Sequence, residues 1–391
     1  MQKKICFLMK NPFTLGGEQR VVSVISNVLT NKDFDVTILC TDNFVANYDM
    51  YKLDSRVKVF QLNTTNKLSY KILNNFYKII RYINKKTNIL KNNEKLLDVI
   101  YCNKLLKKDL TKTIINSGYD YVIGVGGTYT LLVASIKDMI NCKVIGWQHS
   151  SYDAYFLTKD NYSWHQDILF EKYLNKLDKY IVLTNYDKEK VDKRFNINSI
   201  VINNPKSFES DIVSNLDNKR FVAMGRFVYV KAFEDLIEAF NLFSKKNNDW
   251  TLYIYGDGPY KDKYINLIKK YNLENRIFIE NYTDDVKKVL LDSSMYLLSS
   301  RWEGFGMVLL EAMEMGLPVI SFDIPSSKEI IKNNSGILVR SRNIDEYADA
   351  MLKLVNNPIL LKEMGKTAKM NVDKYSHVAI GEEWISMFEL M

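Results

Sequence analysis

Two glutamates, Glu303 and Glu311, stand eight positions apart in RWEGFGMVLLEAMEMGLPVISFD, residues 301–323, with a Gly-Phe-Gly turn between them. A glutamate just ahead of a helix is favoured by the helix dipole and can serve as a cap. That explains Glu303 but not Glu311, which falls inside the following apolar run beside Leu309, Leu310 and Ala312. A carboxylate there is either an exposed helix position or an acceptor for ligand hydroxyls, such as those of a sugar. A second cluster is VAMGRFVYVKAF, where Gly225 ends an apolar run and Arg226 and Lys231 follow across a turn. Two such cations can grip a diphosphate, arginine through its planar fork and lysine as a point charge; a solvated turn accounts for them equally. A third is Gly16-Gly17, immediately before a helical pattern. Paired glycines admit a ligand close to the backbone and leave helix N–H groups open to an anion, or they merely make a tight turn. No third glycine completes a dinucleotide fingerprint. His149, in GWQHSSYDAY, directly follows an apolar run and either faces a ligand or is structural, whereas His165 and His377 lack such a setting. Asp33-Phe34-Asp35 precedes a strand pattern and reads as a turn rather than a metal site.

The elements that must position these residues alternate. Apolar runs at Lys4–Met9, Val36–Cys40, Val57–Leu62, Tyr121–Val125, Lys143–Trp147 and Tyr180–Thr184 are strand candidates, with helical patterns between them, one from Glu18 to Leu29. Ser199–Asn204 adds a short strand, and after Pro205 a polar stretch without periodicity reads as a linker. The pattern then restarts. Strands are predicted at Phe221–Met224, Thr251–Tyr255, Arg276–Ile279, Met295–Ser299, Pro318–Phe322 and Ile337–Val339, and helices at Phe233–Lys245, Lys261–Tyr271 and Met307–Met315. Strands alternating with helices imply parallel sheets covered on both faces. The chain is therefore expected to be α/β, two Rossmann-like doubly wound domains facing across a cleft. Residues 1–205 would form the first, 206–374 the second, and 375–391 a terminal helix returning toward the first. Ligands of such folds sit beyond the carboxyl ends of strands, where these glycine turns lie.

A chain of 391 residues, 47% apolar and 26% charged, suits two ordinary globular domains. No apolar run approaches the ~20 residues a spanning helix needs, and MQKKICFLMKN turns polar too soon for a secretion signal, so a cytoplasmic setting is expected. Cys6, Cys40, Cys102 and Cys142 show neither pairing nor metal spacing, and three histidines make a multi-histidine metal site improbable. The net charge of +8 is concentrated: residues 67–112 hold twelve Lys or Arg against three acids. There Leu68, Ile72, Phe76, Ile79, Ile80 and Ile83 recur at helical spacing, with Tyr70, Tyr77 and Tyr82 among the lysines. A basic amphipathic helix of this kind can lie on an anionic membrane; alternatively its apolar stripe packs inward and its lysines face water. Nucleic acid would use the same charge, but no nucleic-acid motif accompanies it.

Taken in order, GGEQRVV, VINNP, MGR…K, YIYGDGP, EGFGMVLLEAMEMGLPVISFD and SGILV resemble the retaining glycosyltransferases of family 4, with the GT-B fold, over nearly the whole chain. The glutamate pair with its GFG turn is the most specific of these. The resemblance implies that Arg226 and Lys231 neutralise a nucleotide diphosphate, without metal or other cofactor. Backbone N–H groups of Phe305, Gly306, Met307 and Val308 would hold phosphate oxygens, Glu303 the donor sugar, and Glu311 the ribose. Gly16, Gly17 and Gly225 would admit the phosphates, His149 would lie near the sugar, and the base would sit by Ile279 to Tyr282. The pattern departs at Ala232, where glycine normally follows the lysine, and at Asn281, where the base-side strand usually turns on glycine. Many members dock on membranes to glycosylate lipid-linked acceptors. The implied activity is retaining transfer from a UDP-sugar to a glycan or lipid-linked acceptor for cell-surface polysaccharide or glycolipid, on the inner face of the cell membrane. A nucleotide-sugar epimerase of the same fold and a non-catalytic sugar-nucleotide binder are the competing readings.

Overall fold

The computed structural model describes residues 2–159 and 162–391, which divide into two compact units: residues 1–205 with 377–391, and residues 206–376. In the first unit, strands β1 (Lys4–Met9), β2 (Asp35–Cys40), β3 (Lys58–Gln61), β4 (Tyr121–Val125), β5 (Lys143–Trp147), β6 (Lys179–Val182) and β7 (Ile200–Val201) form one sheet. Its order is β3-β2-β1-β4-β5-β6-β7, and every pairing is parallel. Helices α1 (Gly17–Asn31), α2 (Leu68–Thr87), α3 (Glu94–Tyr101), α4 (Lys104–Ser117), α5 (Gly126–Ala134), α6 (Asp167–Tyr173) and α7 (Asn185–Phe195) connect the strands. The strands are buried on both faces, as parallel strands covered by helices must be: Ile5 to Met9 and Tyr121 to Val125 are all buried.

The second unit repeats the plan. Strands β8 (Arg220–Met224), β9 (Thr251–Tyr255), β10 (Ile277–Glu280), β11 (Met295–Leu298), β12 (Val319–Phe322) and β13 (Gly336–Val339) form a parallel sheet ordered β10-β9-β8-β11-β12-β13. Helices α8 (Phe233–Ser244), α9 (Lys261–Lys270), α10 (Val286–Leu291), α11 (Met307–Glu314), α12 (Pro325–Ile330), α13 (Ile344–Val355) and α14 (Pro358–Val372) cover it. In each sheet the strand order reverses once, between β1 and β4 and between β8 and β11. Those switch points leave a crevice at the strands' carboxyl ends, because neighbouring connections depart to opposite faces.

The chain ends in α15 (His377–Glu389), which belongs to the first unit. Its Trp384 ring lies 4.7 Å from Trp147 and 6.0 Å from Phe7, and Tyr121 donates from its hydroxyl to the Phe388 carbonyl at 2.8 Å. All four cysteines are buried and unpaired.

Two expectations change. The strand predicted over Ser199–Asn204 shrinks to two residues, because the Asn203 amide donates to the Leu183 carbonyl at 2.7 Å and Pro205 has no N–H for a ladder. The polar stretch after it is not a slack tether. Lys206 is buried, its Nζ 2.7 Å from Glu314, and the backbone N–H groups of Ser210 and Ser214 donate to Glu314 and to the Met315 carbonyl.

The orientation of α2 also departs from the inward-packing alternative. Tyr70 and Asn84 are buried, and Tyr77 and Ile80 pack on the core. The stripe Leu68, Ile72, Phe76, Ile79 and Ile83 instead faces water, 45–71% exposed. Among the described residues no helix is long and apolar enough to cross a membrane.

Candidate functional site

In the second unit the chemistry-bearing residues gather at the switch point. Gly225, Arg226 and Lys231 follow β8, and Ser299 to Gly306 follow the adjacent β11. The two connections are stitched together: the Arg301 N–H donates to the Val230 carbonyl at 2.8 Å, and the Ser299 hydroxyl to the Lys231 carbonyl at 2.8 Å. Lys231 thereby reaches Glu303. Its ammonium lies 2.6 Å from Glu303 Oε1, and the Ser300 hydroxyl donates to the same oxygen at 2.5 Å. Both members are largely buried, 18% and 13% exposed at the side chain. Glu303 Oε2 has no hydrogen-bond partner among the described residues, so half of the carboxylate is open to a ligand hydroxyl. Arg226 is exposed and has no ion pair among them either.

The loop carrying the cations is held by its neighbour, YIYGDGP. Gly225 and Phe227 donate their N–H groups to the carbonyls of Tyr255 and Asp257, and Tyr260 donates to Phe227. A Cβ on Gly256 would stand 2.0 Å from the Gly225 carbonyl oxygen, so that position admits only glycine. Lys231 packs across Gly225, where a Cβ would lie 3.0 Å from Lys231 Cε. Ala232, at the position where the family places glycine, adopts φ 48° and is fully buried. A left-handed alanine is strained by about 1–2 kcal/mol, and here the packed turn imposes it. Asn281 has no positive φ and accepts from Lys261 at 3.0 Å, so its departure from the pattern strains nothing.

Gly306, with φ 89°, immediately precedes α11, and among the described residues no side chain caps that end. Glu303 is therefore not the cap, being committed to Lys231 and Ser300. With that end uncapped, the amides of Met307 and Val308 are placed to meet an anion. The Phe305 side chain is core, 2% exposed and edge-on to Tyr375 at 5.4 Å, so only its backbone is available to a ligand. Glu311 is buried, 3% exposed, which excludes the exposed-helix alternative. Its neighbour Glu314 is equally buried but structural, bonded to Lys206, Lys369 and the Ser210 N–H at 2.7 Å each. Burial alone would raise the Glu314 carboxyl, but these donors outweigh it and hold the pKa below the usual value. Tyr282 lies just beyond β10, about half exposed.

In the first unit Gly16 precedes α1, and its N–H donates to the Tyr51 hydroxyl at 2.9 Å. A Cβ on Gly17 would meet nothing within 4 Å, so no contact among the described residues requires glycine there. His149 stands two residues after β5, its ring 4.2 Å from Trp147. Burial pushes its pKa down to about 3, so it is neutral at physiological pH; its Nε2 is buried with no hydrogen-bond partner among the described residues.

Sequence reasoning passed over Glu18. It lies in the first turn of α1, and its Oε2 approaches to 3.3 Å of where a Cβ on Gly126 would stand. Gly126 opens α5 after β4, across the switch point. Burial lifts the Glu18 pKa to about 7, giving a group that exchanges a proton near neutrality. Its only sequence signal was position: an acid directly after the glycine pair.

Residues 206–371 match the family model described as Glycosyl transferases group 1. That match takes in nearly all of the second unit. An uncharacterized glycosyltransferase of Haemophilus influenzae is 27% identical over 389 residues, covering 98% of this chain and 99% of that protein. The poly(ribitol-phosphate) alpha-N-acetylglucosaminyltransferase of Staphylococcus aureus is 35% identical over 234 residues, 56% of this chain and 46% of that protein. Among solved structures, S. aureus TarM in complex with fondaparinux, alpha-GlcNAc-glycerol and UDP superposes with a TM-score of 0.73 at 20% identity, covering 99% and 100% of the two chains. That likeness shows the fold: two Rossmann-like α/β units, as in GT-B glycosyltransferases. The matched residues contain every cation and carboxylate described at the second switch point.

Proposed function

We propose that this chain transfers a sugar from a nucleotide diphosphate donor, a UDP-sugar, to a hydroxyl of a glycan or lipid-linked acceptor in cell-surface polysaccharide or glycolipid synthesis. The observation that carries the reading is the Lys231–Glu303 pair at the switch point of the second unit, with Arg226, which has no ion pair among the described residues, on the same turn as Lys231 and with no side-chain cap on α11 among those residues. Arg226, Lys231 and the Met307 and Val308 amides supply positive charge where a diphosphate leaving group develops negative charge, and no metal is invoked. Glu303 Oε2 accepts from the donor sugar, Glu311 from the ribose, and Tyr282 lies on the base side. Gly16 and Gly17 admit the phosphates, and neutral His149 offers a hydrogen bond rather than a charge. UDP is preferred because S. aureus TarM, a structural relative, was solved in complex with UDP.

In this reading the bond between the anomeric carbon and the diphosphate oxygen breaks with its electron pair passing to that oxygen. The acceptor oxygen bonds to the same face of the carbon, and its proton goes to the departing phosphate, so the configuration is retained. The test is transfer from UDP-, GDP- and ADP-sugars with the product anomer read by NMR. Retention from a UDP-sugar, lost in Lys231→Ala, is expected. Inversion, isomerisation of the donor without transfer, or wild-type turnover by Lys231→Ala would overturn it.

The exposed apolar stripe of α2, flanked by Lys71 and Lys78, supports peripheral attachment to the anionic inner face of the cell membrane, each basic residue contributing about 1 kcal/mol near the surface. Co-sedimentation with phosphatidylglycerol vesicles should fall in a Phe76→Ser, Ile79→Ser double variant; unchanged binding would remove α2 from that role.

A further inference from the structure

The first unit holds a cavity of about 550 Å³ beyond the carboxyl ends of β1, β2 and β4. Lys10 follows β1, Thr41 to Asn43 follow β2, and Thr128 and Tyr129 belong to the start of α5. The inner flank of α2 closes it with Tyr70, Lys71, Asn74, Asn75, Lys78 and Arg81. None of these residues carries a recognisable motif, and no role has been given to any of them except the lysines on the outer edge.

Its charge is unbalanced. The lining contains four cations and one carboxylate, Asp42, which is already 3.5 Å from Lys10. Arg81, partly buried, donates to the Asn74 side chain at 2.8 Å and lies 5.9 Å from the Tyr101 ring, but no carboxylate pairs with it among the described residues. Burial lowers its pKa, and only the tyrosines Tyr101 and Tyr70 act against that. An arginine shielded from water without an acid is costly to the fold unless an anion from outside completes it. The ammonium groups of Lys71 and Lys78 have no hydrogen-bond or ion-pair partner among the described residues. Among the lining residues, Asn103 is 5% exposed; its Oδ1 accepts from the Leu105 N–H, while its Nδ2 is buried without a partner among the described residues. Around these cations stand amides and hydroxyls: Asn43, Asn75, Thr65, and Tyr129, whose hydroxyl bonds Thr41 at 2.6 Å. Cations on one side and neutral donors and acceptors on the other match a phosphate joined to a polyol.

We infer that this cavity binds a phosphate ester of a polyhydroxyl compound, with Arg81, Lys71 and Lys78 on the phosphate and the amides on the hydroxyls. Resting on the transferase reading, this makes the acceptor a phosphate-bearing one. The cavity shares α2 with the outward apolar stripe, so a lipid headgroup and a soluble or polymeric polyol phosphate are both possible sources.

The intact protein would be titrated with glycerol 3-phosphate and with glycerol, and its retention on phosphatidylglycerol and on phosphatidylcholine vesicles measured. Glycerol 3-phosphate should bind and glycerol should not. Arg81→Gln, and separately Lys71→Gln with Lys78→Gln on the exposed helix surface, should each weaken glycerol 3-phosphate binding about tenfold or more. If Arg81→Gln also reduces phosphatidylglycerol retention the source is a headgroup; if retention is unchanged it is a soluble or polymeric phosphate, and either supports the site. Equal binding of glycerol and glycerol 3-phosphate, or unchanged binding in both variants, would overturn the inference. The thermal shift produced by UDP is read in parallel. Its absence would count against the transferase reading alone, and failure of glycerol 3-phosphate against this cavity alone.

Discussion

Replacing Glu18 by glutamine should stabilise the first unit above neutral pH and change it little in mild acid. The side chain is partly buried beside Gly126, and that burial raises its carboxyl from the ordinary 4.5 to about 7. The unfolded chain releases this proton near 4.5 and the native chain only near 7. Between those values the native state binds more protons, so stability falls as pH rises through that window and is level outside it. Each tenfold difference in proton affinity is worth about 1.4 kcal/mol, so ionised Glu18 costs the fold about 3 kcal/mol at pH 8 and less than about 1 kcal/mol at pH 5. Glutamine keeps the shape and cannot ionise. Urea unfolding followed by fluorescence, which the buried Trp147 and Trp384 report for this unit, would be run on both proteins at pH 5 and pH 8. The variant should gain on the wild type by about 2–3 kcal/mol between the two conditions. A difference independent of pH, or one growing toward acid, would refute the claim that burial governs this carboxyl.

Gly17→Ala should leave the unfolding midpoint unchanged or raise it slightly, since the added methyl meets nothing, yet lower sugar transfer; unimpaired turnover would show that no ligand approaches that backbone. Glu314→Ala should destabilise the second unit by about 3–5 kcal/mol in urea, because it removes the 2.7 Å partner of the buried Lys206 ammonium and leaves the more distant, exposed Asp373 at 3.4 Å as a weaker one. The folded pKa of Glu314 is depressed, so its contribution is complete above the unfolded carboxylate's pKa and is lost as pH falls further into acid. Ala232→Gly should alter stability by less than about 1 kcal/mol, because relief of the left-handed strain is offset by a lost buried methyl and a more flexible unfolded chain.

The strands were legible because short apolar runs bounded by glycine and polar turns leave little choice; β4, β5 and β9 fall within the expected limits. Gly16-Gly17, Arg226 with Lys231, and the Glu303 turn could be singled out because each sits where a strand gives way to a helix. Their meeting was not legible. Lys231 and Glu303 are 72 positions apart, and only the placement of β11 beside β8 brings them within 2.6 Å. Glu311 and Glu314 differ by three positions in one helix, and packing alone ties Glu314 to Lys206 and Lys369. Periodicity revealed the stripe on α2 but not the side it faces, since both of its flanks carry apolar residues. The cavity beneath it is lined by asparagines, tyrosines and lysines of no distinctive spacing, drawn from the turns after β1 and β2 and from α2 to α5, so no local pattern could announce it.

The central claim is that Arg226 and Lys231 bear on a nucleotide's diphosphate. Calorimetric titration of the intact protein with UDP and with uridine, repeated on Arg226→Ala and Lys231→Ala, tests it most directly. UDP should bind the wild type more tightly than uridine and weaken by about tenfold or more in each variant, while uridine stays as it was. Undiminished UDP binding in both variants, or equal losses for UDP and uridine, would contradict it.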